Sequence, residues 1–262
     1  MMEVRVERLS GEEAGIVLLG LDRPAARNAL GRQLLKEFRS ALEDLRLDST
    51  ARVVVVHSHA PGIFCAGADL KERSAMSASE AAAFVEDIRA TFTELEDLPM
   101  PTIAALEGGA YGGGLELALA ADLRVAGAGA NMGLVETALA IIPGGGGTQR
   151  LPRLIGASRA KELIFTARRI GAEEAGRLGL VDRVIPVGEA LETSLALARE
   201  ILPNGPIALR LAKQAVNQGL ELDLTAGLEL ERACYAQVLP TQDRLEGLAA
   251  FREKRKPRYR GE

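Results

Sequence analysis

Two glutamates stand in sequence where carboxylates are hardest to keep. Glu116 is the only charge in Gly114-Leu115-Glu116-Leu117-Ala118-Leu119-Ala120-Ala121, and Glu136 follows Met132-Gly133-Leu134-Val135. A carboxylate carried into apolar surroundings resists ionisation, so its pKa climbs toward neutrality, where general acid and base catalysis operate. Two such groups acting together can hold one water molecule, one orienting it and the other moving a proton. The bland alternatives are a half-exposed helix at Glu116 and a chance pairing among 36 acidic residues.

Glycine clusters adjoin both acids: Gly108-Gly109, Gly112-Gly113-Gly114 and Gly144 to Gly147. The middle cluster falls between an apolar strand and an apolar helix. Its backbone N–H groups therefore lie at a helix N-terminus, suited to a phosphate or an oxyanion, or else it is simply a tight turn. A third stretch, Phe64-Cys65-Ala66-Gly67-Ala68-Asp69-Leu70-Lys71-Glu72, places small residues after a strand, where α/β sites tend to form. An ordinary turn would read the same way.

Alternating elements must position these groups. Val4 to Leu9, Gly15 to Leu21, the β-branched run Val53 to Val56 and Pro101 to Leu106 read as strands. Apolar spacing predicts helices over 31–47 and 113–121, and Ser77 with Glu80 forms a capping box ahead of a helix reaching about Leu98. Strands alternating with helices imply a largely parallel sheet. Beyond Leu151 the chain turns helical, over 158–167, 172–179, 189–202, 206–219, 223–237 and 241–254, with one apolar run at 180–187. The expected division is 1–195 for the core with the site and 196–262 for a helical region that makes oligomer contacts.

Composition narrows the function. The 262 residues are 47% hydrophobic and 26% charged, with 32 basic against 36 acidic side chains, so no global positive field points to nucleic acid. Only 3% are aromatic, and none is Trp, which weakens a base-stacking role. Cys65 and Cys234 are isolated in apolar sequence, against a disulfide scaffold. The N-terminus carries no apolar or Arg/Ser-rich leader, so the expectation is a cytoplasmic protein without membrane association, or a mitochondrial-matrix one if the chain is a processed organellar form. His57 and His59 share one strand face but lack further ligands, so no metal is expected. No G-x-S-x-G is present, and Gly127, Gly129 and Gly133 miss the dinucleotide spacing. The tail 252–262 carries six basic against two acidic residues, open to CoA phosphates, RNA or plain solvation.

The strings Ala66-Gly67-Ala68-Asp69-Leu70-Lys71, Gly112-Gly113-Gly114-Leu115-Glu116-Leu117-Ala118 and Ile142-Pro143 through Leu151 resemble the signatures of the enoyl-CoA hydratase/isomerase (crotonase) family. The likeness runs from Asp22-Arg23-Pro24 to the 250–255 segment. Pro61 to Arg73, Met132 to Thr137 and Asp243 to Gly247 resemble its methylglutaconyl-CoA hydratase branch, one member of which also binds AU-rich RNA. The resemblance implies an α/β crotonase-like spiral of ββα units with a C-terminal helical trimerisation region, assembled as a trimer or dimer of trimers. It implies an oxyanion hole from the N–H groups of Ala68 and Gly113, with Glu116 and Glu136 as the catalytic pair. Gly144 would adjoin them. Arg27, Ala29, Ala66, Asp69, Leu70 and Lys71 would bind the CoA portion of the substrate, and Phe251 and Lys254 would reach a neighbouring subunit's CoA. CoA belongs to the substrate, so no separate cofactor is implied.

Retention of both acids favours a hydratase over an isomerase of the same family, with 3-methylglutaconyl-CoA in leucine breakdown as one implied substrate. That substrate's second carboxylate would need a cation, for which Lys71, Arg73, Arg89 and Arg153 are candidates. An RNA-binding relative with weak catalysis is disfavoured: the stretch 32–52 sets five basic residues against four acidic ones.

Overall fold

A computed structural model describes residues 2–262. The larger sheet has the strand order β1-β2-β3-β5-β7-β10, formed by Val4–Arg8, Ile16–Leu21, Val53–Ser58, Thr102–Leu106, Leu123–Gly127 and Arg183–Ile185. All neighbours pair parallel except β1 with β2. The valine run explains β3: Val54 and Val56 pack into the main core with α1 (Arg32–Leu47) and α3 (Ala78–Glu96). Val53 and Val55 face the opposite core, against Leu197 and Ala198 of α8 (Ala190–Ile201). A strand covered on both faces cannot alternate in polarity, hence its uniform β-branched sequence.

Each of three long strands hands on to a short strand of a second sheet. Ile63–Cys65 (β4), Gly109–Tyr111 (β6) and Asn131–Gly133 (β8) follow β3, β5 and β7, and Ile170–Gly171 (β9) completes the order β4-β6-β8-β9. Helices close each unit: α2 (Leu70–Ser74) and α3 after β4, α4 (Gly113–Leu119) after β6, α5 (Gly147–Ile155) and α6 (Ala157–Thr166) after β8. The result is a spiral of ββα units. The expected capping box at α3 is present, with the Ser77 hydroxyl accepting from the Glu80 N–H and the Glu80 carboxylate accepting from the Ser77 N–H.

Sequence periodicity does not disclose the second sheet, since two- and three-residue strands carry no period, nor does it disclose α2 or α5, which holds Pro152 internally. The division expected after residue 195 falls inside α8, whose Leu197 and Ala198 belong to the sheet's far-side core. After α7 (Ala172–Leu178) and α8, the chain breaks at Pro203–Gly205, and α9 (Pro206–Gly219), α10 (Leu224–Val238) and α11 (Gln242–Glu253) bury few side chains of their own. No helix among the described residues is long and apolar enough to cross a membrane.

Candidate active site

Parallel pairing in the second sheet places the carboxyl ends of β4 and β6 side by side, and the loops leaving them form one wall of a cleft of about 1070 Å³. Gly67 has φ +90°, and a Cβ there would stand 2.6 Å from the Tyr111 carbonyl oxygen, so only glycine allows this approach. The Leu30 N–H donates to the Gly67 carbonyl at 2.8 Å and the Asp69 N–H to the Leu30 carbonyl at 3.1 Å. These bonds clamp the chain on both sides of Ala68, which lines the cleft. Across from it, Gly113 opens α4 after Gly112, whose N–H donates to the Gly133 carbonyl at 2.9 Å and whose φ is +51°. The Cβ position of Gly113 lies 3.8 Å from the Ala68 nitrogen and 3.9 Å from Glu116 Oε2. Neither the Ala68 nor the Gly113 N–H meets an acceptor among the described residues. Two donors on adjoining loops thus have no acceptor of their own, the provision a developing oxyanion would need.

Glu116 lies one turn into α4 and is 3% exposed. Burial raises its pKa, and the Gly147 and Gly145 N–H groups oppose that rise. The Gly147 N–H donates to Oε1 at 2.7 Å. The glycine run is explained by this contact, because a Cβ at Gly145 or Gly147 would stand 2.9 Å from a Glu116 oxygen.

Glu136 begins a 3-10 turn, Glu136–Leu139, and is 9% exposed. Its Oε2 is buried without a hydrogen-bond partner. Burial, followed by the nearby Glu116 charge, pushes its pKa up to about 7, with Arg73 acting in the opposite direction. The two acids are thus driven apart in character. Glu116 accepts the Gly147 N–H, whereas Glu136 Oε2 has no partner, and burial raises the pKa of both.

Of the residues expected from the sequence, Glu116, Glu136, Gly113, Ala68, Arg27, Ala66, Leu70 and Gly144 line this cleft. Five do not. Asp69 caps α2, accepting from the Lys71 and Glu72 N–H groups, and pairs with Arg23 at 2.9 Å. Arg23 in turn donates to the Ala29 carbonyl at 2.8 Å, so Ala29 and Asp69 fasten the cleft's edge from behind. Lys71 is exposed and does not line the cleft. Phe251, 87% exposed, and Lys254 lie at the end of α11, apart from this chain's cleft. The basic tail is partly neutralised in place, with Arg255 paired to Glu246 at 2.6 Å.

Other lining residues escaped the sequence reading, among them Tyr111, Thr148, Gln149 and Arg169, whose guanidinium lies 4.3 Å above the Tyr111 ring. Tyr111 directly precedes the glycine triplet and was open to notice. Arg169 sits in irregular chain directly before a two-residue strand, and nothing in its spacing marks it. Cys65 is fully buried, with burial pushing its thiol up to about 12, so it is no nucleophile. Among the described residues no group of three or more His, Cys, Asp or Glu is placed to hold a metal ion.

A ββα spiral that brings two buried carboxylates before a pair of free amides defines a class of acyl-thioester enzymes. The chain belongs to the enoyl-CoA hydratase/isomerase family, whose sequence model matches residues 11–262. It is 56% identical over 264 residues to the mitochondrial methylglutaconyl-CoA hydratase of Homo sapiens, covering 99% of this chain and 78% of that one. It is 54% identical to a probable mitochondrial enoyl-CoA hydratase 2 of Arabidopsis thaliana, covering 98% and 86%. The crystal structure of an enoyl-CoA hydratase from Bacillus anthracis superposes with a TM-score of 0.96 at 48% identity, covering 99% of this chain and all of the other.

Proposed function

We propose that this protein is an enoyl-CoA hydratase, adding water syn across the C2=C3 bond of a 2-enoyl-CoA thioester. The observation that carries the reading is the pairing of Glu116, held by amides, with a Glu136 that keeps its proton up to about pH 7, both beside the Ala68 and Gly113 N–H groups. The thioester oxygen takes the two amides, and Arg27, Ala66 and Leu70 lie along the approach of the CoA arm. Glu116 orients a water at C3 and accepts its proton as the C3–O bond forms. The π electrons move onto the thioester oxygen as an enolate, where each fixed donor contributes about 2.7–4 kcal/mol. Glu136 then gives its proton to C2 as the enolate collapses. The product is a 3-hydroxyacyl-CoA, and proton exchange through solvent returns both acids to their starting states.

The relatives' names support 3-methylglutaconyl-CoA as the physiological substrate. Homo-oligomerisation, as a trimer or dimer of trimers, is part of the same proposal. It is supported by the exposed apolar side chains of the last three helices, including Leu224, Leu228, Tyr235, Leu248 and Phe251. In an assembly Phe251 and Lys254 would meet a neighbouring copy. The cytoplasmic setting expected from the sequence has a rival in the mitochondrial one carried in the names of the human and plant relatives.

The test is incubation with crotonyl-CoA and 3-methylglutaconyl-CoA, followed by loss of the conjugated thioester absorbance and by product mass. A product heavier by one water supports hydration. Turnover confined to moving the double bond of a 3-enoyl-CoA would assign the isomerase chemistry instead.

A further inference from the structure

Glu116 takes its backbone hydrogen bonds from a run of four glycines at 144–147, and glycine backbone has more conformational freedom than any other. Two guanidiniums hold that run still. Arg89 of α3 donates through Nε to the Gly144 carbonyl at 3.2 Å, and Arg150 of α5 donates through Nη1 to the Gly145 carbonyl at 2.9 Å. The peptide planes on both sides of Gly145 are thereby pinned. A trans peptide points its C=O and N–H in opposite directions, so the bond at the Gly144 carbonyl turns the Gly145 N–H away from Arg89 and toward Glu116. The bond at the Gly145 carbonyl fixes the next plane. That plane leads through Gly146, at φ +109°, to the Gly147 N–H that meets Glu116 Oε1 at 2.7 Å.

The two arginines are not equally secured. Arg89 is exposed, and its other partner is Glu86 at 2.6 Å. The Arg150 side chain is 13% exposed and commits its remaining donors to α3. Its Nε and Nη2 reach Glu96 Oε2 at 3.1 and 2.6 Å, and Nη2 lies 3.3 Å from the Thr93 hydroxyl. Its own N–H donates to the Gly146 carbonyl at 2.9 Å. A planar fork anchored at one end and bonded to a carbonyl at the other holds that carbonyl in one place. Arg150 does not line the cleft, so it acts on the reaction through the glycine run and through its charge. The charged groups facing Glu116 are Arg150 of α5, Arg89 of α3 and Glu136 of the 3-10 turn, while the buried Cys65 thiol behind Gly114 stays neutral. We propose that Arg150 is a positioning residue for hydration: from behind the cleft it locks the Gly145–Gly146 peptide, so that the amides of the glycine run stay on Glu116 and aim it at the water. The inference rests on the hydratase reading and adds to it a residue that lies outside the cleft.

The test follows crotonyl-CoA hydration from about pH 5 to about pH 9 in wild type, Arg150→Met, Arg150→Lys and Glu96→Gln, with thermal unfolding of each. The acid limb of kcat/KM marks Glu116 taking up a proton. In Arg150→Met, kcat falls by about tenfold or more while KM stays within a few-fold, because the substrate contacts are intact and the base is misaimed. The acid limb moves to higher pH by about half a unit or more, since burial of Glu116 then meets less opposition. Arg150→Lys, which keeps the charge without the fork, lies between. Glu96→Gln still offers Arg150 an acceptor and spares the Gly145 bond, so its acid limb stays in place whatever its Tm. An acid limb that does not move in Arg150→Met, or activity losses matched by Glu96→Gln, overturns the assignment by showing that Arg150 serves only the packing of α3 on α5. If Arg150→Met does not fold, Arg150→Lys decides, and a profile superimposable on wild type overturns the proposal. Either result leaves the hydratase reading standing, whereas a wild type that hydrates nothing removes both.

Discussion

If Glu136 is kept as a proton donor by burial, it must cost the folded protein stability once it ionises. Its pKa rises from an ordinary 4.5 to about 7 in the folded chain, a difference worth about 3 kcal/mol at about 1.4 kcal/mol per unit. The sign follows from which state loses its proton first. The unfolded chain ionises near 4.5 and the folded one near 7, so the favourable contribution is complete below 4.5 and is lost as pH rises through about 7. Glu136→Gln removes the titration while preserving shape. Relative to wild type, the variant should therefore gain about 2–3 kcal/mol between pH 5 and pH 8.5. For a chain of this size that corresponds to a relative gain of roughly 4–12 °C in Tm. Urea unfolding at both pH values and one fixed protein concentration reads the difference directly, since any assembly makes stability concentration-dependent. A stability difference between variant and wild type that stays flat across this pH range would refute the claim that Glu136 is held protonated by its surroundings.

Two further substitutions separate site geometry from support. Gly67→Ala introduces a Cβ 2.6 Å from the Tyr111 carbonyl oxygen at φ +90°, which must displace the Ala68 or Gly113 amide. Steady-state hydration should lose about 10²-fold in kcat, and kcat within a few-fold of wild type would argue against the two-amide oxyanion site. Asp69→Ala removes the α2 cap and the Arg23 partner, which should lower stability by about 1 kcal/mol, while Asp69→Asn keeps most of the cap. Thermal unfolding together with CoA binding distinguishes the roles. An Asp69→Ala protein with unchanged Tm and weakened CoA binding would make Asp69 a ligand contact.

What the sequence disclosed depended on length and on isolation. The valine run of β3, the Ser77–Glu80 box of α3 and the periodic C-terminal helices each extend over enough residues to show their environment. Glu116 stood out because one charge interrupts a wholly apolar helix. Glu136 was harder, since its apolar neighbours precede a 3-10 turn rather than a regular element. The strands of the second sheet were too short to leave a period, yet that sheet brings the site together. Through the bond from the Gly112 N–H to the Gly133 carbonyl, it sets Gly112 so that its Cβ position lies 3.0 Å from Glu136 Oε1. The division of labour, with Glu116 on the water and Glu136 supplying the proton, came with the family resemblance and not from spacing, which says nothing of the Gly147 amide on Glu116. Spacing alone names the pair without ranking its members. Nor does spacing show that Arg89 and Arg153 are already paired.

Cooperation between the two acids is tested most directly by hydration kinetics of Glu116→Gln, Glu136→Gln and the double variant, with folding of each verified. Shared work on one water and one enolate predicts that each single change lowers kcat by about 10²–10⁴-fold. It also predicts that the double variant falls little below the worse single, because a pair acting as a unit fails once either member is lost. Turnover left intact by Glu116→Gln, or losses that multiply in the double variant, would contradict it.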